Sequence, residues 1–255
     1  MRHLLLGLHV SCCILAPVVA ADFPSTIATV KQSVVGIGTF QKTRSPAVRF
    51  VGTGFVVGDG RQVITNAHVV PTLDAANLET LGIVIATGAS FEFRPASVAG
   101  LDREHDLAHL AIGGAALAPL QLGEPGQLRE GRELALTGFP LGMVLGLHHA
   151  THRALLSAIT PIVLPSLSSG RLGAGAIVQL QRNAFDIYQL DATAYPGNSG
   201  SPLYDPSSGV VHGVINMVFV KGLKETAITS PSGITYAVPV QYVTQLLQRK
   251  SPAAK

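Results

Sequence analysis

The sequence predicts an all-β fold of two barrels with a cleft between them and a short helix near the end. Three observations carry this. First, Gly and Pro, 27 and 16 of the 255 residues, punctuate the chain at short intervals, and Val/Ile-rich runs fill the gaps. Second, many short strands with turns between them indicate a sandwich or barrel. Third, a break near Gly123–Gly131 divides the strands into two roughly equal sets.

Before the break the candidate strands are Ser33–Phe40, Gly52–Gly58, Val63–Asn66, Gly82–Ala86, Phe91–Gly100 and Leu107–Ile112. The second and third flank a Gly58-Asp59-Gly60 turn, and the sixth alternates directly behind an acidic residue. After the break they are Glu133–Gly138, Arg153–Ile159, Ala176–Leu180, Ile187–Leu190, Pro202–Tyr204, Val210–Val220 and Ile234–Val238. The last regular segment, Pro239–Arg249, reads as a helix: Pro suits a helix start, and Val240, Val243, Leu246 and Leu247 recur at helical spacing. The N-terminal barrel is expected over about 25–130, the C-terminal barrel over about 131–240 and the helix over 239–249, within one unit of residues 22–250.

Hydrophobic residues make up 47% and charged residues 13%, a globular composition that excludes disorder. The formal net charge is +3, but the basic residues are scattered. No stripe exists to track phosphates, so no nucleic-acid partner is expected.

Residues 1–21 read as a secretory signal. Arg2 and His3 form a charged start, Leu4 to Leu15 an apolar stretch, and Pro17 precedes a small-residue cleavage site near Ala20 or Ala21. The apolar run is short for a membrane span, so no stable span is expected after cleavage. Both cysteines, Cys12 and Cys13, lie inside this segment. The mature chain would have neither thiol nor disulfide, and export without disulfides suggests a core that holds alone, in a bacterial periplasm or outside the cell.

Three segments carry chemistry. In Gly52–Val70 a strand ends in Thr65-Asn66-Ala67-His68. In Asp102–Ile112 acidic residues precede a strand. In Asp191–Asp205 a Gly/Pro-bent loop presents Ser199. A serine hydroxyl is a weak nucleophile and needs a base. Imidazole takes its proton and returns it to a leaving amine. A carboxylate holds that imidazole in the right tautomer and stabilises the imidazolium. A tight Gly197-Asn198-Ser199 turn can aim the N–H groups of Gly197 and Ser199 at one developing oxyanion. Asp102 and Glu104 compete with Asp106 for the acid, and the Leu107-Ala108-x-Leu110 continuation favours Asp106.

The segments TNAHVV, HDLAHLAI, Gln189-Leu190-Asp191-Ala192, PGNSGSP, VVHGVIN and GITYAVP run in order from Gly52 to Pro239. With them the chain resembles the trypsin-like serine peptidases of the chymotrypsin-like superfamily, and within these the protease domain of the HtrA (DegP) group. The resemblance implies two six-stranded antiparallel barrels with the active site in the cleft. It implies a triad of His68, Asp106 and Ser199, an oxyanion hole at Gly197 and Ser199, polypeptide substrates, and neither cofactor nor metal.

There are two departures. Ser201 stands where the family usually has Gly, a change that glutamyl endopeptidases share. The chain also ends at Lys255, so the PDZ domain that follows the protease in HtrA proteins is not expected. Asn198 occupies the place where zymogen-type relatives carry an acid that pairs with a newly cut N-terminus. Activity without a second cleavage is therefore expected. The oligomeric state stays open.

The family's layout also implies a specificity pocket. One wall is Thr193, Ala194 and Tyr195; the other is Val214, Ile215 and Asn216. No acid lies at its base, where Thr193 falls, so a Lys or Arg substrate would bury an unpaired charge. Glutamyl endopeptidases place a histidine where Ile215 stands. The expected preference is a small or medium aliphatic residue.

Other readings fit less well. His148, His149 and His152 form a cluster without the Glu of HExxH, on what reads as a loop before a strand. An α/β-hydrolase needs G-x-S-x-G, where this chain has Ser201, and a different residue order. A catalytically inactive secreted protein that binds peptides in the same cleft is the alternative function.

Overall fold

Twelve strands close into two barrels in this computed structural model, which describes residues 22–74, 76, 78–88, 90–142, 146–162, 185–216 and 233–249. The expected leader with Cys12 and Cys13, the expected strand Ala176–Leu180 and residues 217–220 of another expected strand lie outside the described residues.

The first barrel contains β1 (Val34–Phe40), β2 (Val48–Val57), β3 (Gln62–Asn66), β4 (Thr80–Thr87), β5 (Ser90–Asp102) and β6 (Leu107–Ile112), closed in the order β1-β2-β3-β6-β5-β4. The second contains β7 (Glu133–Gly138), β8 (Ala150–Ile162), β9 (Phe185–Asp191), β10 (Pro202–Tyr204), β11 (Val211–Asn216) and β12 (Ile234–Pro239), closed as β10-β11-β12-β9-β8-β7. Strand neighbours are antiparallel, for example Thr65 opposite Ala108 and Val214 opposite Val238. The fold is thus the two six-stranded chymotrypsin-like barrels that the resemblance implies. Closure leaves no sheet edge to be protected.

Alternation along the strands divides the apolar side chains among three cores. Val56 of β2 joins Val35, Ile37, Val63 and Leu110 inside the first barrel. Its neighbours Phe55 and Val57 point the other way and meet Phe139, Tyr204, Val211 and Val214 between the barrels. Leu134, Leu136, Leu156, Leu190 and Ile215 fill the second barrel. Each such side chain contributes about 1.5–3 kcal/mol by leaving water.

A C-terminal helix, α2 (Val240–Gln248), lays Val240, Val243 and Leu246 into the core between the barrels. Pro239 is the last residue of β12 and caps α2 rather than beginning it. One helix, α1 (Phe23–Lys31), was not expected from the sequence. Its signal is local: Asp22 accepts the Ser25 N–H at 3.2 Å, and a proline follows in the first turn. β2, β5 and β8 exceed their expected spans, because their added residues are polar or alternately exposed and form no apolar run. One consequence is that His152 lies on β8 opposite Leu136, not on a loop. No described helix is long and apolar enough to cross a membrane.

Four histidines in this frame, His109, His149, His152 and His212, are held below the ordinary imidazole value, in each case mainly by burial. The unfolded chain therefore binds protons more readily than the folded one. Their contribution to stability is complete above pH ~6.5 and is lost as pH falls below it. The Tm should drop by on the order of 5 °C between pH 7.5 and 5.5, well before carboxylates protonate. Thermal melts across that range check this, and an unchanged Tm would contradict it.

Candidate active site

The hairpin between β5 and β6 turns through four residues and leaves Asp106 in the left-handed region at φ +53°, which Asp tolerates better than most. Its carbonyl accepts the Ala67 N–H at 3.0 Å and the Asn66 amide at 3.1 Å. These bonds fasten the acid turn to the end of β3, where a short 3₁₀ turn, Ala67–Val69, presents His68. The Asp106 carboxylate receives three donors. Oδ1 takes the His68 backbone N–H at 2.9 Å. Oδ2 lies 2.6 Å from His68 Nδ1 and takes the Asn216 amide at 2.8 Å. A carboxylate only accepts, so Nδ1 carries the proton and Nε2 offers a lone pair.

Ser199 lies on the loop from β9 to β10, in the other barrel, and is 7% exposed. β2 runs between the two halves. At Gly52 a side chain would meet the Val69 methyl groups at 2.9 Å and the Ser199 carbonyl at 3.2 Å. Next to it, Thr53 fastens the Ser199 loop. Its N–H donates to the Ser199 carbonyl at 2.9 Å and its hydroxyl to the Gly197 carbonyl at 2.6 Å. The same hydroxyl accepts the Phe139 N–H at 3.1 Å. The Ser199 loop and the His68 turn thus face each other across one strand. No hydrogen bond joins Ser199 Oγ to His68 among the described residues.

The loop's backbone explains its glycines. Gly197 sits at φ +101° and Gly200 at φ +87°. A Cβ at 197 would fall on the Phe139 carbonyl oxygen, and one at 200 on the Thr53 carbonyl oxygen. Leu141 N–H to the Pro196 carbonyl at 2.7 Å, Asn198 N–H to the Tyr195 carbonyl at 2.9 Å and Gly200 N–H to the Ile215 carbonyl at 2.9 Å fix the turn. Among the described residues no acceptor takes the N–H of Gly197 or of Ser199. Asn198 is fully buried, so an ionised acid there would need a partner inside the protein.

The residues expected at the specificity pocket divide. Thr193 and Tyr195 are half-buried, and the Tyr195 ring lies 6.2 Å from that of His152. Ala194 and Ile215 belong to the core of the second barrel, and Val214 to the core between barrels. The Asn216 amide is aimed at Asp106.

The expected histidine cluster diverges. His149 hydrogen-bonds the Val34 carbonyl at 2.9 Å, while His152 lies towards Tyr195. No group of three or more His, Cys, Asp or Glu among the described residues could hold a metal ion.

Two contributors were missed by sequence reasoning: Thr53, and Asn216 in its contact with the acid. Thr53 does carry a signal. A strand residue set between Gly52 and Gly54 marks close approach by another backbone.

The family model described as "Trypsin-like peptidase domain" matches residues 52–214. The chain is 28% identical over 204 residues to the mitochondrial serine protease HTRA2 of Drosophila ananassae, and 29% over 208 to that of Drosophila persimilis. In both cases 80% of the chain matches 40% of the relative, so it spans about two fifths of the length of these curated relatives. Among solved structures it resembles the active form of the Rv3671c protease from M. tuberculosis, at TM-score 0.63 and 24% identity, covering 98% of this chain and 96% of that one. It also resembles the HtrA-type protease AlgW with a decapeptide, at TM-score 0.63 and 21% identity, covering 89% and 67%. These two likenesses concern the fold.

Proposed function

The chain belongs to the trypsin-like peptidase domain family, and from this premise we propose that it is a serine endopeptidase cutting polypeptides through an acyl-enzyme at Ser199. The observation that carries the reading is the convergence of the Asp106–His68 pair and the Ser199 loop across β2, with two unclaimed N–H groups beside Ser199. In the reaction, Ser199 Oγ attacks the scissile carbonyl carbon as His68 Nε2 takes its proton. The N–H groups of Gly197 and Ser199 receive the oxyanion. His68 then gives the proton to the leaving amine, and Asp106 stabilises the imidazolium between the two steps. Water repeats the sequence on the acyl-enzyme and releases Ser199. No cofactor enters these steps. Export rests on the leader-like residues 1–21.

The proposed cleavage preference is Val, Ala or Leu on the acyl side, because the half-buried Thr193, at the pocket base in the family's layout, offers no charge to a Lys, Arg or Glu side chain. Each methylene that fits is worth about 1 kcal/mol, so discrimination among aliphatics should be modest.

Two measurements test the proposal on the protein freed of residues 1–21. A fluorophosphonate should leave one adduct, on the peptide containing Ser199. Absence of that adduct would favour the inactive peptide-binding protein instead. Digestion of a peptide library should give cuts after small and medium aliphatics. A profile dominated by Arg, Lys or Glu would show the pocket to be misassigned.

A further inference from the structure

Directly before Asp106 lies a second Asp–His pair that the chemistry above does not use. His105 is 7% exposed, and its Nδ1 lies 2.9 Å from Asp102 Oδ2. Its backbone N–H also donates to Asp102 Oδ1 at 3.2 Å, which closes the turn on itself. The His105 ring is held on two sides. Tyr242 of α2 stacks on it with ring centres 3.9 Å apart and planes 18° apart. Phe185 of β9 meets it edge-on at 4.7 Å, and Phe185 and Tyr242 pack against each other at 5.5 Å. Arg249, one residue beyond α2, reaches Asp102 Oδ2 at 3.0 Å. The C-terminal helix thus grips the acid turn from outside through Asp102 and His105, while Asn66 and Ala67 hold it from inside through the Asp106 carbonyl.

We infer that His105, clamped by Tyr242, Phe185 and Asp102, is a positioning residue that sets the carboxylate of Asp106 against His68 and makes α2 part of the catalytic apparatus. The physical reason is the backbone of Asp106. A non-glycine residue at φ +53° holds that conformation only where its surroundings over-determine it. Asp106 is therefore fixed on one side by the ring packing of the preceding His105 and on the other by two hydrogen bonds to its own carbonyl. Releasing the first side lets the carboxylate swing away from the 2.6 Å contact with His68 Nδ1. This rests on the peptidase reading above.

The test compares His105→Ala, Tyr242→Ala and Tyr242→Phe with wild type in peptide hydrolysis. A displacement of about 1 Å at a reacting group costs up to about a hundredfold in rate. The two alanine variants should therefore lose roughly 10- to 100-fold in kcat with KM little changed. Their acid limb should move to lower pH, because His68 loses part of the charge that stabilises its protonated form. Tyr242→Phe keeps a ring on His105 and should restore both readouts. Tyr242 is half-buried, so its variants guard against a His105→Ala chain that fails to fold. The low-field resonance of the proton between His68 Nδ1 and Asp106 needs no turnover and should weaken in the alanine variants. If the Tm falls while kcat, pH profile and resonance stay as in wild type, the clamp only anchors the helix and the inference is overturned. A wild type that neither cleaves nor takes the fluorophosphonate would overturn the peptidase reading, and the resonance would still decide the clamp.

Discussion

Ser199→Ala should abolish turnover and leave the fold unchanged. The hydroxyl makes no hydrogen bond among the described residues, and the loop is held by backbone contacts that an alanine keeps: the Ser199 carbonyl to Thr53, the Gly200 N–H to Ile215, and the Asn198 N–H to Tyr195. The reaction loses the atom that forms the acyl bond. When members of such a constellation act as a unit, removing the nucleophile costs on the order of 10⁶ in kcat. The variant should melt within about 2 °C of wild type. Activity retained in a highly purified Ser199→Ala preparation would sink the assignment of the nucleophile.

The second large effect is expected at Gly197, where no nucleophile, base or acid is altered. Gly197→Ala would force a side chain into φ +101° and onto the Phe139 carbonyl oxygen. The least disruptive escape is rotation of the peptide, which turns the 197 N–H away from the substrate oxygen. Losing one such donor costs about 10²–10³ in kcat. Fluorophosphonate labelling of Ser199 should slow by a comparable factor, while binding of a peptide to Ser199→Ala should be unchanged by the added Gly197→Ala. Full activity in Gly197→Ala would mean that this N–H does not receive the oxyanion. Gly200→Ala is the harsher control: its Cβ would fall on the backbone oxygen of Thr53, so it should cost stability as well as rate.

The barrels were legible in the sequence because their strands are short apolar runs bounded by Gly and Pro. β6, β7 and β10 fall on their expected residues for that reason. Where a strand continues through charged or alternating residues, as β5 does to Asp102, composition carries no signal, and register with a neighbour decides the end. α1 was missed because it is a single short helix in a β-rich chain whose only mark is its cap. His68, Asp106 and Ser199 could be proposed from the sequence, since the chemistry proposed for them demands particular side chains. Their support was less visible. Thr53 acts through its N–H and hydroxyl and is marked only by the glycines beside it, while His105 acts through ring packing, which several residue types supply. Asn216 was placed in a pocket wall by the family's layout. The direction of its amide follows from the pleat and from how the barrels dock, which one strand's sequence does not encode.

The bond between Thr53 and the Ser199 loop bears on how the chain comes to exist in a cell. His68 and Asp106 belong to the barrel made first, Ser199 to the barrel made last, and the strand that joins them is fastened across most of the chain. Contacts of such long range form late in folding, after the loop between them has been closed at an entropic cost. In an emerging or half-folded copy the proposed base would therefore lack its proposed nucleophile. On the proposed reading, hydrolytic competence would arrive only with the finished tertiary structure, and newly made chains would be unable to cut one another before then.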